Sequence, residues 1–397
     1  MWFANFFIAG SMTMVLPFLS LYIETFGNYS DEFVQTWAGW IFGITFVTAF
    51  LVSPIWGRFG DRYGRKKILV ISGSGLAVSV FFMGFVTSVW QLFILRFFMG
   101  VFTGFISTSQ ALISTQTPQH LSGRVLGTLQ TGNVSGSLFG PMFGGILADA
   151  FGFSLTFKLT SITLAIAAIV VLIGIKEFRL ESKGEAKKSY SRKEVLQYIL
   201  FHPVLIVVMV ISLLVQIAHF SIQPILALYV KEIHGLESLA FFSGIAFSIT
   251  GLGNLLMTRN WGKIADKIGY EKVMVILLVA SALVYFPGAF VTNIWQLLIL
   301  RFLLGVFLGG IIPVRTAYIR QAAPIHIQGE VLGYNTSFRF LGNAAGPAIG
   351  GWLSGLYGIS SIFFLSSTLL FIGGIVLGVI SQKPFRTSRD KSVIRHS

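Results

Sequence analysis

The sequence predicts an all-α integral membrane protein whose twelve transmembrane helices form two pseudosymmetric six-helix bundles. Three observations carry that reading. The 397 residues are 54% hydrophobic and only 11% charged, with a mean hydropathy of +0.79. A soluble domain carries roughly 25% charged residues, so this chain cannot cover its surface with water-facing groups, and its solvent is mostly lipid. Apolar runs of about 20 residues, each enough to cross a hydrocarbon core of roughly 30 Å, recur along the whole length. Finally, residues 56–67 (WGRFGDRYGRKK) return as residues 261–272 (WGKIADKIGYEK), with Gly57 and Gly262 lying 205 residues apart. A solenoid unit repeats every 20–50 residues or so. This repeat is a duplicated half-protein, as in chains built from two parallel bundles.

The elements follow in order. Spans 1 to 6 are expected at about 1–26, 35–56, 67–87, 90–112, 125–148 and 153–175. Spans 7 to 12 are expected at about 203–230, 239–259, 272–291, 294–319, 331–354 and 359–381. The loops after the even-numbered spans and the C-terminal tail hold nearly all of the Lys and Arg, whereas the opposite loops carry Asp31, Glu32, Lys231 and Glu232. By the positive-inside rule both termini face the cytoplasm. The domain reading is an N-terminal bundle over 1–175, a cytoplasmic central loop over 176–202, a C-terminal bundle over 203–381 and a basic cytoplasmic tail over 382–397. Ser191 and Glu194 have capping-box spacing, which predicts a short surface helix over 192–201 ahead of His202-Pro203. The rest of the central loop reads as a flexible tether or as a ligand-binding segment. The first apolar run is too long for a signal-peptide core of roughly 7–15 residues. With no Lys or Arg ahead of it, a few upstream residues are expected to be missing.

The halves match beyond the opening repeat. Pro17-Phe18-Leu19-Ser20-Leu21-Tyr22 answers Pro224-Ile225-Leu226-Ala227-Leu228-Tyr229. Trp90-Gln91-Leu92 with Arg96 and Gly100 answers Trp295-Gln296-Leu297 with Arg301 and Gly305, and Gly140-Pro141 with Gly144-Gly145 answers Gly346-Pro347 with Gly350-Gly351. All of these lie 205–207 residues apart. The net charge of +14 sits in short loops, with no basic domain to grip nucleic acid, and the absence of Cys excludes disulfides and thiolate metal or redox sites.

These motifs resemble those of a known family. Gly57-x-x-x-Asp61-Arg62-x-Gly64-Arg65-Lys66 resembles the loop 2–3 signature of the major facilitator superfamily, and Arg96-x-x-x-Gly100-x-x-x-Gly104 resembles its helix 4 motif. Gly136-x-x-x-Gly140-Pro141-x-x-Gly144-Gly145 resembles the helix 5 motif of the twelve-helix drug:proton antiporters. The resemblance covers the whole chain. It implies the major facilitator fold and export of amphiphilic drugs or dyes, fluoroquinolone-like molecules among them, in exchange for protons. Such a protein works as a monomer in a bacterial cell membrane, with the proton gradient as its energy source, no cofactor and no metal. The alternative is a major facilitator exporter of a sugar or another small metabolite. ATP-driven transport and membrane enzymes are disfavoured: the chain has no G-x-x-x-x-G-K-[ST], no H-E-x-x-H and no G-x-S-x-G.

Gly57 and Gly64 are expected to allow a tight reversal between two helices. In the family the first-half loop faces the start of helix 11 and the second-half loop faces the start of helix 5. That would set Arg58, Arg62 and Arg65 opposite Glu330, and Asp266 opposite Arg124, as cytoplasmic latches holding the outward-open state. The alternative reading is that these charges only fix topology. In helix 5, glycines four apart offer a groove for close helix contact, either as a seam between the halves or as packing alone.

Arg96, Arg301, Arg315 and Arg339 fall within spans, where a charge costs roughly 2.5–3.5 kcal/mol on insertion scales. Arg96 matches the family position tied to proton coupling, and otherwise reads as a structural anchor. Arg301 is its repeat partner and reads as structural, while Arg315 and Arg339 read as substrate contacts or carbonyl caps. Further proton carriers to weigh are His219, which equally suits a hydrogen-bonded core role, and Glu24 and Asp149 near outer helix ends. Polar residues on apolar helices, Asn5, Gln110, Asn133, Gln216, Gln223, Asn254, Asn335 and Asn343, are candidates for a substrate cavity or for interhelical glue.

Overall fold

The computed structural model describes residues 1–117, 119–177, 192–324 and 327–381. The first half comprises α1 (Trp2–Glu24), α2 (Asp31–Tyr63), α3 (Arg65–Met83) and α4 (Val89–Gln116), then a continuous stretch, Gln119–Gly174. Gly152, at φ 77° and ψ 167°, divides that stretch into α5 (119–151) and α6 (153–174). Only a residue without Cβ takes that conformation easily. The second half comprises α7 (Pro203–His234), α8 (Leu239–Ile268), α9 (Tyr270–Phe290), α10 (Ile294–Ala322), α11 (Gln328–Tyr357) and α12 (Ser360–Ser381). The expected surface helix is present as Arg192–Phe201, while its Ser191 cap lies outside the described residues.

Ten described stretches are long and apolar enough to cross a membrane, and one of them, Arg124–Gly174, holds both α5 and α6. The remaining helix, α11, is not among them; it carries Glu330, Asn335, Arg339 and Asn343 and a glycine-rich second half. Twelve spans in two related halves are therefore observed, with no strand among the described residues. The face where α1 starts and α12 ends is called here the terminal face, and the opposite one the far face.

The repeated sequence motifs turn out to be repeated local solutions. At the start of α4, the Ser88 side chain accepts from the Gln91 backbone N–H (3.4 Å), and the Gln91 side chain accepts from Thr87 N–H (2.9 Å). At the start of α10, Asn293 and Gln296 repeat this, at 3.1 Å and 3.0 Å. Both are variants of the capping box, which is why Trp-Gln-Leu recurs. Pro17 and Pro224 each tighten one turn to 3₁₀, in Leu16–Phe18 and Gln223–Ile225, and these two bends touch.

The opening repeat is a helix end rather than a loop. α2 continues through Trp56 and Gly57 to Tyr63, so Gly57 makes no reversal; a Cβ there would meet nothing within 4 Å. Gly64 alone turns the chain, at φ 100°, as Gly269 does at φ 99° in the second copy. The expectation of a two-glycine turn is thereby corrected, because one left-handed residue suffices to reverse direction between adjoining helices. α3 then starts on a cap that sequence reasoning missed. The Glu177 carboxylate, just past α6, accepts from the backbone N–H groups of Arg65 (2.7 Å) and Lys66 (3.0 Å). Arg65 itself donates to the Ala111 carbonyl and to Thr115 Oγ1 (2.9 Å) at the end of α4.

Candidate functional site

The halves are sealed together at the far face, and the helix 5 motif builds that seal. Its glycines split between two neighbours. A Cβ on Gly136, Gly140 or Gly144 would overlap the carbonyl oxygens of Phe6, Gly10 and Met14 in α1, so these three seat α5 on its own half. Gly145 instead faces the other half: a Cβ there would overlap the Ala240 carbonyl of α8, and one on Gly244 would overlap the Pro141 carbonyl. The second copy is symmetric, with Gly351 against the Gln35 carbonyl of α2 and Gly39 against the Pro347 carbonyl. The motif thus provides both of the readings its sequence allowed, packing and seam.

Two carboxylates bridge the seal. Glu24 accepts from Lys231 through both oxygens, each at 2.9 Å. Asp149 accepts from two backbone N–H groups in the first turn of α8, those of Ala240 (3.1 Å) and Phe241 (2.8 Å). A carboxylate is favoured there because a helix N-terminus presents unpaired donors and a positive dipole end.

On the terminal side of the seal lies a cavity of about 730 Å³ between the halves, within the roughly 300–1,000 Å³ of small-molecule sites. Its apolar lining includes Phe42, Phe46, Trp56, Phe220, Phe247 and Phe340. Of the expected cavity residues it takes Gln110, Gln223 and Asn254, and of the coupling candidates Arg96 and His219. Arg301, expected to be merely structural, also lines it. No Asp or Glu does among the described residues.

The arginines are held differently. Arg301 donates from Nε to the Ala246 carbonyl (3.1 Å), leaving Nη1 without a partner. Arg96 lies over the Phe42 ring (5.7 Å to its centroid) and meets Met99 Sδ at 3.8 Å, with Nε and Nη2 unpartnered. His219 Nε2 is 3.1 Å from Gln223 Nε2, and its Nδ1 has no partner.

Other candidates fall outside the cavity lining. Asn5 is buried as glue, accepting from Ser109 (2.9 Å) and donating to the Met1 carbonyl (3.1 Å), and Asn335 likewise accepts from Ser212 (2.5 Å). The cavity reading of these two is corrected: a buried amide among helices finds its partners there. Gln216 is buried against Gly342, and Asn133 and Asn343 are half-buried. Arg315 is 1% exposed and close enough to Arg339 for the two to interact electrostatically; neither lines the cavity. Glu24 and Asp149 sit in the seal.

Asp266 accepts from Tyr270 Oη (2.7 Å) at its own helix end, while Arg124 and Glu330 are exposed. The Asp61 side chain lies outside the described residues. Asp266 also borders a second cavity of about 610 Å³, inside the second half, with His202 and Glu271. Burial holds the His202 imidazole below its ordinary pKa, against the opposing pull of Glu271.

The sequence model of the Major Facilitator Superfamily matches residues 1–260 and 240–395. The chain belongs to the major facilitator superfamily. Its relatives include the uncharacterized MFS-type transporter YuxJ of Bacillus subtilis (strain 168), 55% identical over 96% of this chain and 97% of YuxJ. The multidrug resistance protein MdtG of Dickeya zeae (strain Ech586) is 39% identical over 94% of this chain and 91% of MdtG. Among solved structures, an inward-facing, occupied bacterial homologue of the human lysosomal transporter Spinster superposes with a TM-score of 0.79. It is 13% identical, over 96% of this chain and 95% of that one. The superfamily consists of multi-pass membrane transporters, not enzymes, and this chain is one of them.

Proposed function

We propose that this transporter exports small amphiphilic compounds, acidic or zwitterionic ones foremost, in exchange for protons by alternating access. The observation that carries the reading is the cavity between the halves. It is aromatic and apolar, it holds Arg96 and Arg301, and it lacks any carboxylate among the described residues. A permanent cation would meet only like charge there, whereas an acid brings the anion that two buried guanidiniums need. The multidrug-resistance name of the relatives favours amphiphiles over sugars.

In this reading the terminal face is cytoplasmic, so the far-face seal makes the described conformation inward-facing. The bundles over 1–175 and 203–381 rock about the α5–α8 and α2–α11 seams. Closing the terminal face would bring Arg124 to Asp266, and the Asp61, Arg62 and Arg65 end of α2 to Glu330. Proton carriage falls to Arg96 or His219 in the cavity wall, or to Glu24 and Asp149 in the seal. No cofactor takes part, and one chain suffices.

The test is drug susceptibility and dye efflux in an efflux-deficient bacterium expressing the protein, with and without an uncoupler. Uncoupler-sensitive export of acidic amphiphiles is expected. Unchanged susceptibility across chemically varied compounds would sink the proposal, and uncoupler-resistant efflux would remove the proton from it.

A further inference from the structure

The cavity walls are related by the internal repeat, so each lining position has a counterpart across the pseudo-twofold axis. Phe42 answers Phe247, Thr45 answers Thr250 and Arg96 answers Arg301, 205 residues apart, and all six line the cavity. At three other pairs the first half is apolar and the second polar. Met12 answers His219, Leu16 answers Gln223 and Ala49 answers Asn254, again with every member in the lining. At those three positions the first-half wall is apolar where the second-half wall offers hydrogen-bonding groups. Thr13 and Phe220, 207 residues apart, run the other way, but the Thr13 hydroxyl donates to the Ala9 and Gly10 carbonyls of its own helix.

The two arginines fit this division. Arg96 has a ring and a thioether for neighbours, which cannot orient an acid. Arg301 is fixed by its Nε bond to Ala246, is 1% exposed and leaves Nη1 unpartnered. It acts electrostatically on His219, which pairs with Gln223 at 3.1 Å. As placed, the Gln223 amide nitrogen can only donate, so His219 Nε2 accepts and the neutral ring carries its proton on the unpartnered Nδ1. Arg301 Nη1 and His219 Nδ1 are thus two spare donors on one wall.

We infer that Arg301, His219 and Gln223 form the subsite for the acidic head group of the transported amphiphile, while Met12, Leu16 and Ala49 receive its apolar body. This rests on the proposed export of amphiphiles and adds an orientation and a specificity determinant. The recognising chemistry is a carboxylate or similar oxyanion accepting from a guanidinium and an imidazole N–H.

The probes are a fluorescent fluoroquinolone and its ethyl ester, which share a ring system and differ in the acidic group. Binding is measured on purified protein in lipid nanodiscs. The acid is expected to bind at least about tenfold tighter than the ester, the ratio that one charge-assisted hydrogen bond of about 1.4 kcal/mol supplies. Arg301→Gln should bring the acid down to the level of the ester and leave ester binding intact, which also reports that the variant is folded. Arg301→Lys should keep part of the preference, His219→Gln should reduce it, and Leu16→Asn should weaken both probes alike.

An acid-to-ester ratio unchanged in both Arg301→Gln and His219→Gln overturns the subsite. So does a preference lost in Arg96→Gln while it survives in Arg301→Gln. Equal binding of acid and ester by the unaltered protein overturns the subsite together with the acid preference of the proposed function, but not amphiphile export. Failure to bind or export either probe overturns the proposed function itself.

Discussion

Replacing Asp149 by Asn should loosen the far-face seal by an amount the structure allows to be worked out. The carboxylate accepts two hydrogen bonds, 3.1 Å and 2.8 Å long, from the N-terminus of a helix in the other half. A carboxylate at such a terminus contributes about 0.3–1 kcal/mol when exposed and up to about 2 when partly buried. Asp149 is exposed, so about 1 kcal/mol is the working figure, or about a fivefold change in the closed-to-open ratio. The Glu24–Lys231 pair, also partly exposed, adds only about 0–1 kcal/mol. Because the chain has no Cys, spin labels can be placed cleanly at Asn28→Cys and Leu236→Cys, in the exposed far-face turns of opposite halves. Pulsed electron–electron double resonance in nanodiscs should show the long-distance population rising about fivefold relative to the short one in Asp149→Asn, and further when Glu24→Gln is added. Protonating either carboxylate should act in the same direction, because it removes the same charge. An unchanged distance distribution in the double variant would refute the latch. So would an equal shift in Glu232→Gln, which removes an exposed far-face carboxylate outside the seal.

Three further outcomes are expected. Gly145→Val and Gly351→Val place a side chain on the Ala240 and Gln35 carbonyls, so each should hold the far face apart and abolish efflux while the same spin-label pair reports only long distances. Glu24→Lys and Lys231→Glu should each impair efflux by setting like charges together, and the charge-swapped double variant should restore it; vesicle efflux rates check this. Glu177→Ala removes the cap on α3 and should cost about 1 kcal/mol of stability, seen as a lower thermal midpoint in detergent with an unchanged acid-to-ester binding ratio.

Much of this was legible in the sequence because hydropathy and repetition report on the solvent and on the fold. The twelve spans, the internal offset and the seam-forming glycines all follow from which residues lipid and close helix contact tolerate. The end of α2 was misplaced because Trp56 to Tyr63 is polar enough to resemble a loop, although helix continues past the apolar stretch until Gly64 turns it. Cavity membership was only partly legible. Asn5 and Gln110 look alike as amides on apolar helices, and only packing shows that one meets Ser109 while the other faces the cavity. The Glu177 cap joins groups 111 and 112 residues apart in sequence, and no local pattern marks such a contact. A signal did exist for Arg301, namely its repeat position opposite Arg96.

The departures from internal symmetry are the informative part of this duplication. Mechanical elements are kept in both halves: the Pro17 and Pro224 bends, the Gly64 and Gly269 turns, and the reciprocal Gly145–α8 and Gly351–α2 seams. Glu24 and Lys231 occupy equivalent positions, 207 residues apart, as Pro17 and Pro224 do. They nevertheless touch, which places the pair at the pseudo-twofold axis. A faithful duplication would set like charge against like at that point and push the halves apart. Opposite signs there turn a repulsive contact into a latch, so the sequence had to diverge at the axis for the far face to close. The same argument applies one layer in, where Met12, Leu16 and Ala49 stand in the repeat for His219, Gln223 and Asn254. A cavity with identical walls would offer an amphiphile two equivalent, opposed orientations. Divergence between the walls leaves it one.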